Sequence, residues 1–450
     1  MYGNKTFYKT LSSLAVPIML QNLLASSVSF ADTLMIGKLG QNAIAAVGIA
    51  NQVFFLVNLF CFGIVSGLSV FLSRYYGAGN TEKMRSVTAL GLSLTVAGGL
   101  IWALASLFFP EQIMHIFTRE AEVVTIGAGY QRIVAVSYLF FAVSQTFSIG
   151  FRSIGKASIP LYATTFSLVL NIVGNWILIF GIGPAPALGA YGAAIATLIS
   201  RFAELIILLF FTFKNVVPFR IKSRCDFKWK KDFLATYFKT SVPVFCNEML
   251  WALGMTMYKV AISLLGVEAI AATSVTQSIA DLFFVLCIGV GNAGTIMIGQ
   301  RLGRGDREGT LKMGKKLMIV SLWIGIGMGI LMASLAPFIP RLFNIGTELY
   351  SMIVKSLLVI AVLQPVKSLN MTAIVSLMRG AADTRFALVA EISAVWAVGV
   401  PMSFIAAALF HAPLWAVYLA QNTDEVVKLI ISLFRLRTPV WIKQLPTENE

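Results

Sequence analysis

Residues 226 positions apart in this chain repeat one another, and the match needs no gap across some 63 residues. Val16-Pro17 returns as Val242-Pro243, Leu39-Gly40 as Leu265-Gly266, and the run Ala43 to Ala46 as Ala269 to Ala272. Gly77-x-Gly79-Asn80 returns as Gly303-x-Gly305-Asp306. Phe117 and Phe343 keep the offset, and after a slip of one, Arg152 in GFRSIG pairs with Arg379 in LMRGAA. A chain that writes one template twice over this length is expected to fold as two similar lobes, and in an apolar chain that is the plan of a transporter.

The chain is apolar enough for that plan. Of its 450 residues 58% are hydrophobic and 12% charged, too few polar side chains to cover a soluble globule. Windows long enough to cross a hydrocarbon core of ~30 Å as helices fall near 11–36, 44–72, 88–110, 123–150, 159–183, 188–213, 239–265, 269–298, 315–340, 350–377, 386–410 and 412–434. These are twelve, six per repeat. Basic residues gather on one side of such an arrangement, 26 of the 35, while the other side holds Lys38, Arg119 and Arg341. Basic residues near span ends stay on the cytoplasmic side, so both termini are expected in the cytoplasm. The net charge of +15 then reflects topology and anionic headgroups, and no nucleic acid is expected as a partner.

Six spans per repeat send both halves into the membrane from the same side, so the pseudo-two-fold axis is expected along the membrane normal. The fold class is therefore an all-α polytopic membrane protein of twelve helices in two six-helix lobes. Residues 1–213 form the amino-terminal lobe, 214–238 a basic cytoplasmic linker, and 239–450 the carboxy-terminal lobe with a short tail. In the linker basic and aromatic residues interleave, as in a segment lying on an anionic leaflet or as a solvated connector. The first span is too long for the apolar core of a cleaved signal and is expected to stay. Four scattered cysteines and two histidines offer no disulfide framework and no metal spacing, and no cofactor is expected.

An ionisable side chain at mid-span is costly, about 2.5–3.5 kcal/mol on insertion scales, so one that persists faces a polar partner or cavity. Five acids are embedded: Asp32, Glu204, Glu248, Asp281 and Glu391. Glu204 has Arg201 three residues earlier and reads as an ion pair on one helix face. Glu391 is close enough to Arg385 to pair with it or to snorkel. Asp281 is open to a functional or a structural role. Asp32 and Glu248 each follow a proline in the first span of their repeat, with no basic residue nearby in sequence, and are the leading candidates for function. Pro17 and Pro243 remove a backbone donor and are expected to bend or weaken their helices. An acid beyond such a bend can bias two helix shapes when it gains or loses a cation.

Amides also fall within the spans, among them Gln21, Gln52, Gln145, Asn171, Asn175, Asn247, Gln277 and Gln364. Asn171 and Asn175, four apart, share one helix face. Interhelical hydrogen bonding accounts for any one of them. Together with Asp281 they read as the lining of a hydrated cavity. Arg132, Lys259, Lys355 and Lys367 either join that interior or pair with lipid or carboxylates.

The FADTLMIGKLGQNAIAAVG end of the first span, the SRYYGAGN turn, GFRSIGKASIP and VPVFCNEMLWALG resemble the bacterial multidrug and toxic-compound extrusion family over essentially the whole chain. The resemblance implies a monomeric antiporter in the bacterial cytoplasmic membrane that exports amphipathic, often cationic organic compounds by alternating access, driven by H⁺ or Na⁺. It implies a coupling site at Asp32, with Asn171, Asn175 and Thr197 around it and Pro17 in the bending helix, and a second candidate at Glu248. Asn175 departs from an aspartate found in some members, and the tenth span lacks the carboxylate some members carry.

The nearest alternative is a lipid-linked precursor flippase of the same superfamily, for which the embedded basic residues argue. An integral membrane enzyme would need clustered carboxylates or a nucleophile set, which the sequence lacks.

Overall fold

The computed structural model describes residues 4–183, 186–215, 217–340 and 346–443. Arg341 and Phe343 lie outside the described residues. Among the described residues the chain is helical, with no strand. An apolar segment in lipid must satisfy every backbone polar group within itself, and the helix is the open-ended way to do so.

Two compact units are present, one of Val16–Lys231 and one of Met1–Ala15 with Asp232–Glu450. Helix α1 (Asn4–Gly37) runs through the boundary without a break, and Pro17 lies just past it. The first unit continues with α2 (Gln41–Gly77), α3 (Thr81–Phe108), the short α4 (Pro110–His115), α5 (Ala121–Ser153), α6 (Ser158–Phe180) and α7 (Ala190–Lys214). Its apolar core packs Ile36, Val47, Val57, Tyr130, Val134 and Tyr138. The second unit begins with α8 (Lys231–Ser263), which is likewise continuous through Pro243. It continues with α9 (Val267–Gly303), α10 (Arg307–Leu335) and α11 (Thr347–Asn370). Helix α11 runs on as a π-helical segment, Met371–Arg379. Next come α12 (Thr384–Ala394), a π-helical stretch Val395–Gly399, α13 (Val400–Phe404) and a further π-helical stretch Ile405–Leu409. Helices α14 (Leu414–Gln421) and α15 (Thr423–Leu436) close the unit. Its core packs Phe283, Met332, Leu357, Leu414, Val417 and Tyr418.

Ten of the twelve expected spans are helices long and apolar enough to cross a membrane. The other two occupy the expected places: α8 is a 33-residue helix with polar residues through its middle, and α14 and α15 are separate helices of 8 and 14 residues. Helix α8 carries Lys239, Glu248 and Lys259, and α15 carries Asp424, Glu425 and Lys428. Their central charges are neutralised by partners inside the unit, as described below, and this is what makes such helices compatible with an apolar surrounding.

The sequence repeat survives as repeated interactions. Asn80 caps α3 by accepting from the Lys83 amide at 2.9 Å, and Asp306 caps α10 by accepting from the Gly309 amide at 2.8 Å. The glycine turns therefore end one helix and start the next. Thr95 and Thr146 share a buried hydroxyl hydrogen bond, and so do Ser321 and Thr372, each 226 residues further on.

The linker packs in part against the first unit. Val217 and Phe219 are buried, and Phe219 meets Phe151 edge-on at 5.1 Å between ring centroids. Asp226 accepts from the Lys222 and Ser223 amides and faces Arg85 at 3.6 Å. Trp229 donates to the Ser86 carbonyl at 3.0 Å. The physical reason is apolar: Phe219 packs on α5 at Gly150 and Phe151, and the basic residues between it and α8 stay outside that contact.

Candidate functional site

Helices α6 and α7 approach closely because position 192 is glycine; a Cβ there would lie 2.4 Å from the Leu178 carbonyl oxygen. Across that contact α6 presents Thr164, Asn171 and Asn175, and α7 presents Thr197, Arg201 and Glu204. Both sets follow the spacing of one helix face.

Asn175, completely buried, donates its Nδ2 to the Asp32 carboxylate on α1 and to Asn171 Oδ1 at 3.3 Å. Asn171 in turn donates to Thr197 Oγ1 at 3.3 Å. The four residues implied by the resemblance thus form one chain of hydrogen bonds. Asp32 has a neutral hydrogen-bonding partner in Asn175, with Arg201 and Tyr130 within electrostatic reach. Asn175 Oδ1 is buried without a hydrogen-bond partner. A carboxylate so placed can hold a proton, or share a hard monovalent cation with the amide and hydroxyl oxygens around it.

Toward the amino-terminal end of α1, Gln21 receives Arg152 NH2 on its Oε1 at 2.6 Å and donates its Nε2 to Thr164 Oγ1 at 3.1 Å. Thr164 donates to Glu204 at 2.8 Å. The expected Arg201–Glu204 ion pair does not form. The Arg201 guanidinium instead lies over the Phe54 ring, 3.8 Å from its centroid, and 5.2 Å from that of Phe141. Residues three apart share a helix face, but here the aromatic rings take the guanidinium and the Thr164 hydroxyl takes the carboxylate.

The second unit holds the counterpart. Arg379, at the end of the π-helical segment, donates NH1 to Glu248 at 2.5 Å and lies 3.4 Å from Glu391. Asn247 donates to Glu391 at 2.6 Å. Glu391 therefore neither snorkels nor pairs with Arg385, which is exposed; the fold offers it an arginine twelve residues away. Arg152 reaches Gln21 and Arg379 reaches Glu248 across the same 131-residue separation. In each unit one arginine thus holds the proline-containing helix a turn or so beyond the proline. Glu248, isolated in sequence, is ion-paired in space, unlike Asp32.

The remaining candidates are dispersed. Asp281 accepts from Gln277 at 2.7 Å and faces a pocket of about 280 Å³ that Lys259 also lines. Gln364 is buried, with its Nε2 unpartnered; Gln145 is half-buried and Gln52 exposed. Arg132 leaves the proposed interior altogether, pairing with exposed Glu111 at 3.0 Å. Sequence reasoning missed a further buried cluster, Asp424, Glu425 and Lys428 on α15. The signal was present: in QNTDEVVKLI the lysine stands three and four residues after the acids, the spacing of helix-face neighbours.

Among solved structures, the fold resembles a MATE in the straight conformation, with a TM-score of 0.86 at 20% identity over 95% of each chain. It equally resembles a MOP superfamily transporter from Pyrococcus furiosus, with a TM-score of 0.87 at 19% identity over 97% of each chain. Among curated sequences, a probable multidrug resistance protein NorM of Thermotoga maritima is 26% identical over 98% of this chain and 95% of its own length. A probable multidrug resistance protein YoeA of Bacillus subtilis is 27% identical over 97% and 95%. The MatE family profile matches residues 17–177 and again 243–405, one match per repeat, so the chain belongs to the MatE family.

Proposed function

We propose that the protein is a cation-coupled antiporter that exports amphipathic organic compounds across the bacterial cytoplasmic membrane, with both termini on the cytoplasmic side and Asp32 as its coupling carboxylate. Family membership and the names of the relatives, multidrug resistance proteins among them, support the export of organic compounds. One observation carries the assignment of Asp32: it is the α1 carboxylate held by a buried amide, Asn175, instead of by a base. An ion-paired carboxylate such as Glu248 already has its cation, and loading a second one there must compete with the Arg379 guanidinium. At Asp32 an arriving cation meets a negative charge with no base in contact.

Loading and release at Asp32 act on α1, which its polar contacts tie to α6 through Asn175 and Thr164. Neutralising Asp32 removes the charge from the Asn175 contact and changes which shape of the proline-containing helix is favoured; that differential is what converts a cation gradient into work. Ethidium efflux from proteoliposomes under an imposed ΔpH or ΔNa⁺ tests the reading. Gradient-driven efflux is expected from the wild type, with at least a tenfold loss in Asp32→Asn; wild-type rates in that variant would overturn the assignment. Efflux under neither gradient would favour the flippase of lipid-linked precursors.

A further inference from the structure

The second unit contains a buried polar cluster that the resemblance does not point to. Asp424 and Lys428 are each 3% exposed, and Tyr258 is 6% exposed. The Lys428 ammonium lies 2.9 Å from Glu425 Oε1 and 3.3 Å from Asp424 Oδ2. The Tyr258 hydroxyl donates to Asp424 at 3.0 Å. Asn370 donates its Nδ2 to Glu425 Oε2 at 2.7 Å. Position 399 is glycine because the cluster fills its space: a Cβ would lie 2.0 Å from the Tyr258 hydroxyl and 2.9 Å from Asp424 Cβ.

We propose that Asp424 is a second proton-binding carboxylate, the counterpart in this unit of Asp32, with its acid transposed to the opposite helix of the same pair. Asp32 on α1 maps at 226 onto Tyr258 on α8, and Thr197 on α7 maps, after the slip of one, onto Asp424 on α15. In the first unit the acid stands on the proline helix and the hydroxyl on the last helix. In the second the hydroxyl stands on the proline helix and the acid on the last. The bases correspond too, since Arg201 maps onto Lys428 at the same offset. The contact differs in one respect: Asp32 reaches Thr197 through Asn175 and Asn171, whereas Tyr258 bonds Asp424 directly.

Charge says what this node binds. Two carboxylates share one ammonium within pairing distance, and unlike Glu248, which Arg379 holds at 2.5 Å, Asp424 has the longer of the two lysine contacts, 3.3 Å, and a neutral hydroxyl partner, so a proton on Asp424 removes the surplus negative charge. Glu425 is the less suitable acceptor because it has the shorter lysine contact and the amide of Asn370. Asn370, 4% exposed, commits its Nδ2 to the backbone carbonyl and the side-chain carboxylate of Glu425, which leaves Asp424 with the neutral Tyr258 hydroxyl as its other partner. The other charged groups facing the node are Lys367 on α11 and Glu391 on α12. Lys367 lies beyond pairing distance but within electrostatic reach of both acids, and it makes the ionised state tolerable. Both charge states are thereby accessible. In the exchange a proton from water adds to the Asp424 carboxylate, forming one O–H bond, and the same bond breaks on release, with no redox change.

The proposal rests on the coupled-antiport reading, and its test separates the two. In proteoliposomes exporting ethidium, the ΔpH that just balances the ethidium gradient gives the number of protons moved per ethidium. Asp424→Asn is expected to lower that number by one, whereas Asp32→Asn is expected to stop gradient-driven export. An unchanged proton number in Asp424→Asn overturns the second site; continued export in Asp32→Asn overturns the first while leaving the Asp424 measurement readable. If Asp424→Asn fails to fold, infrared difference spectra of Tyr258→Phe between acid and neutral pH decide. A carboxylic C=O band displaced from the wild-type position is expected, and a band at the wild-type position overturns the proposal.

Discussion

Arg379 is the residue whose loss should be felt most strongly in the second unit. It is 4% exposed and stands between Glu248 and Glu391, so removing it leaves two buried carboxylates without their cation. Breaking a buried pair in this way costs about 3–5 kcal/mol. Arg379→Met is therefore expected to lower the unfolding midpoint in detergent, measured by thermal denaturation, and Glu248→Gln in the same chain is expected to recover part of the loss. Recovery is the telling outcome, since a purely steric defect would not respond to removal of a charge. At this scale the sequence was half legible. It picked out Asp32, Asn171, Asn175 and Thr197, which do meet, and the embedded acids Glu248 and Glu391. It could not say that Glu248 is paired, because the partner stands 131 residues away, and helix-face spacing misassigned Arg201 because Phe54 on another helix was the better neighbour. Asp424, Glu425 and Lys428 escaped notice because a chain-terminal span with three charges looks like an interfacial end until its burial is seen.

Helix starts are local, and there the repeat predicts structure well. The turn before α10 places Asp306 as its cap, with the Gly309 amide first and the Arg301 side chain second holding its carboxyl below the ordinary range. Because the folded form favours the ionised acid, the cap contributes above the ordinary carboxylate range and is lost as pH falls through it toward the depressed folded value. Asp306→Ala should lower stability by about 1 kcal/mol near neutral pH, and the difference from wild type should vanish on acidification, as followed by denaturant titration at several pH values. A difference that persisted at low pH would mean that Asp306 acts through something other than its charge. The elements themselves were legible from apolar windows and turn residues, down to the two proline helices. The π-helical stretches were not, since nothing in residues 371–379 or 395–399 announces the extra residue per turn; they are set by what the helix packs against. They lie where Arg379 and Gly399 meet their sites, in keeping with the frequent placement of such turns at functional positions.

For the whole molecule, the segment after α7 matters more than a connector would. Phe219 is completely buried against Phe151, so the basic segment is part of the first unit's structure. Phe219→Ala is expected to destabilise that unit by about 3–5 kcal/mol and to open residues 217–231 to limited proteolysis, whereas an unchanged cleavage pattern would return the segment to the role of a linker. The sequence by itself determined the membrane character, the helical class, the duplicated plan and Asp32 as an embedded acid, because each depends on composition, on periodicity or on a constant offset along the chain, while the resemblance supplied the residues around Asp32. Only the tertiary structure decided which embedded charges are already neutralised. That depends on distances between helices far apart in sequence: Arg379 closes on Glu248, Tyr258 closes on Asp424, and Asp32 is left with the amide of Asn175. The cost of a buried charge is set by the groups within a few ångströms of it, and the order of residues along the chain does not fix which groups those are.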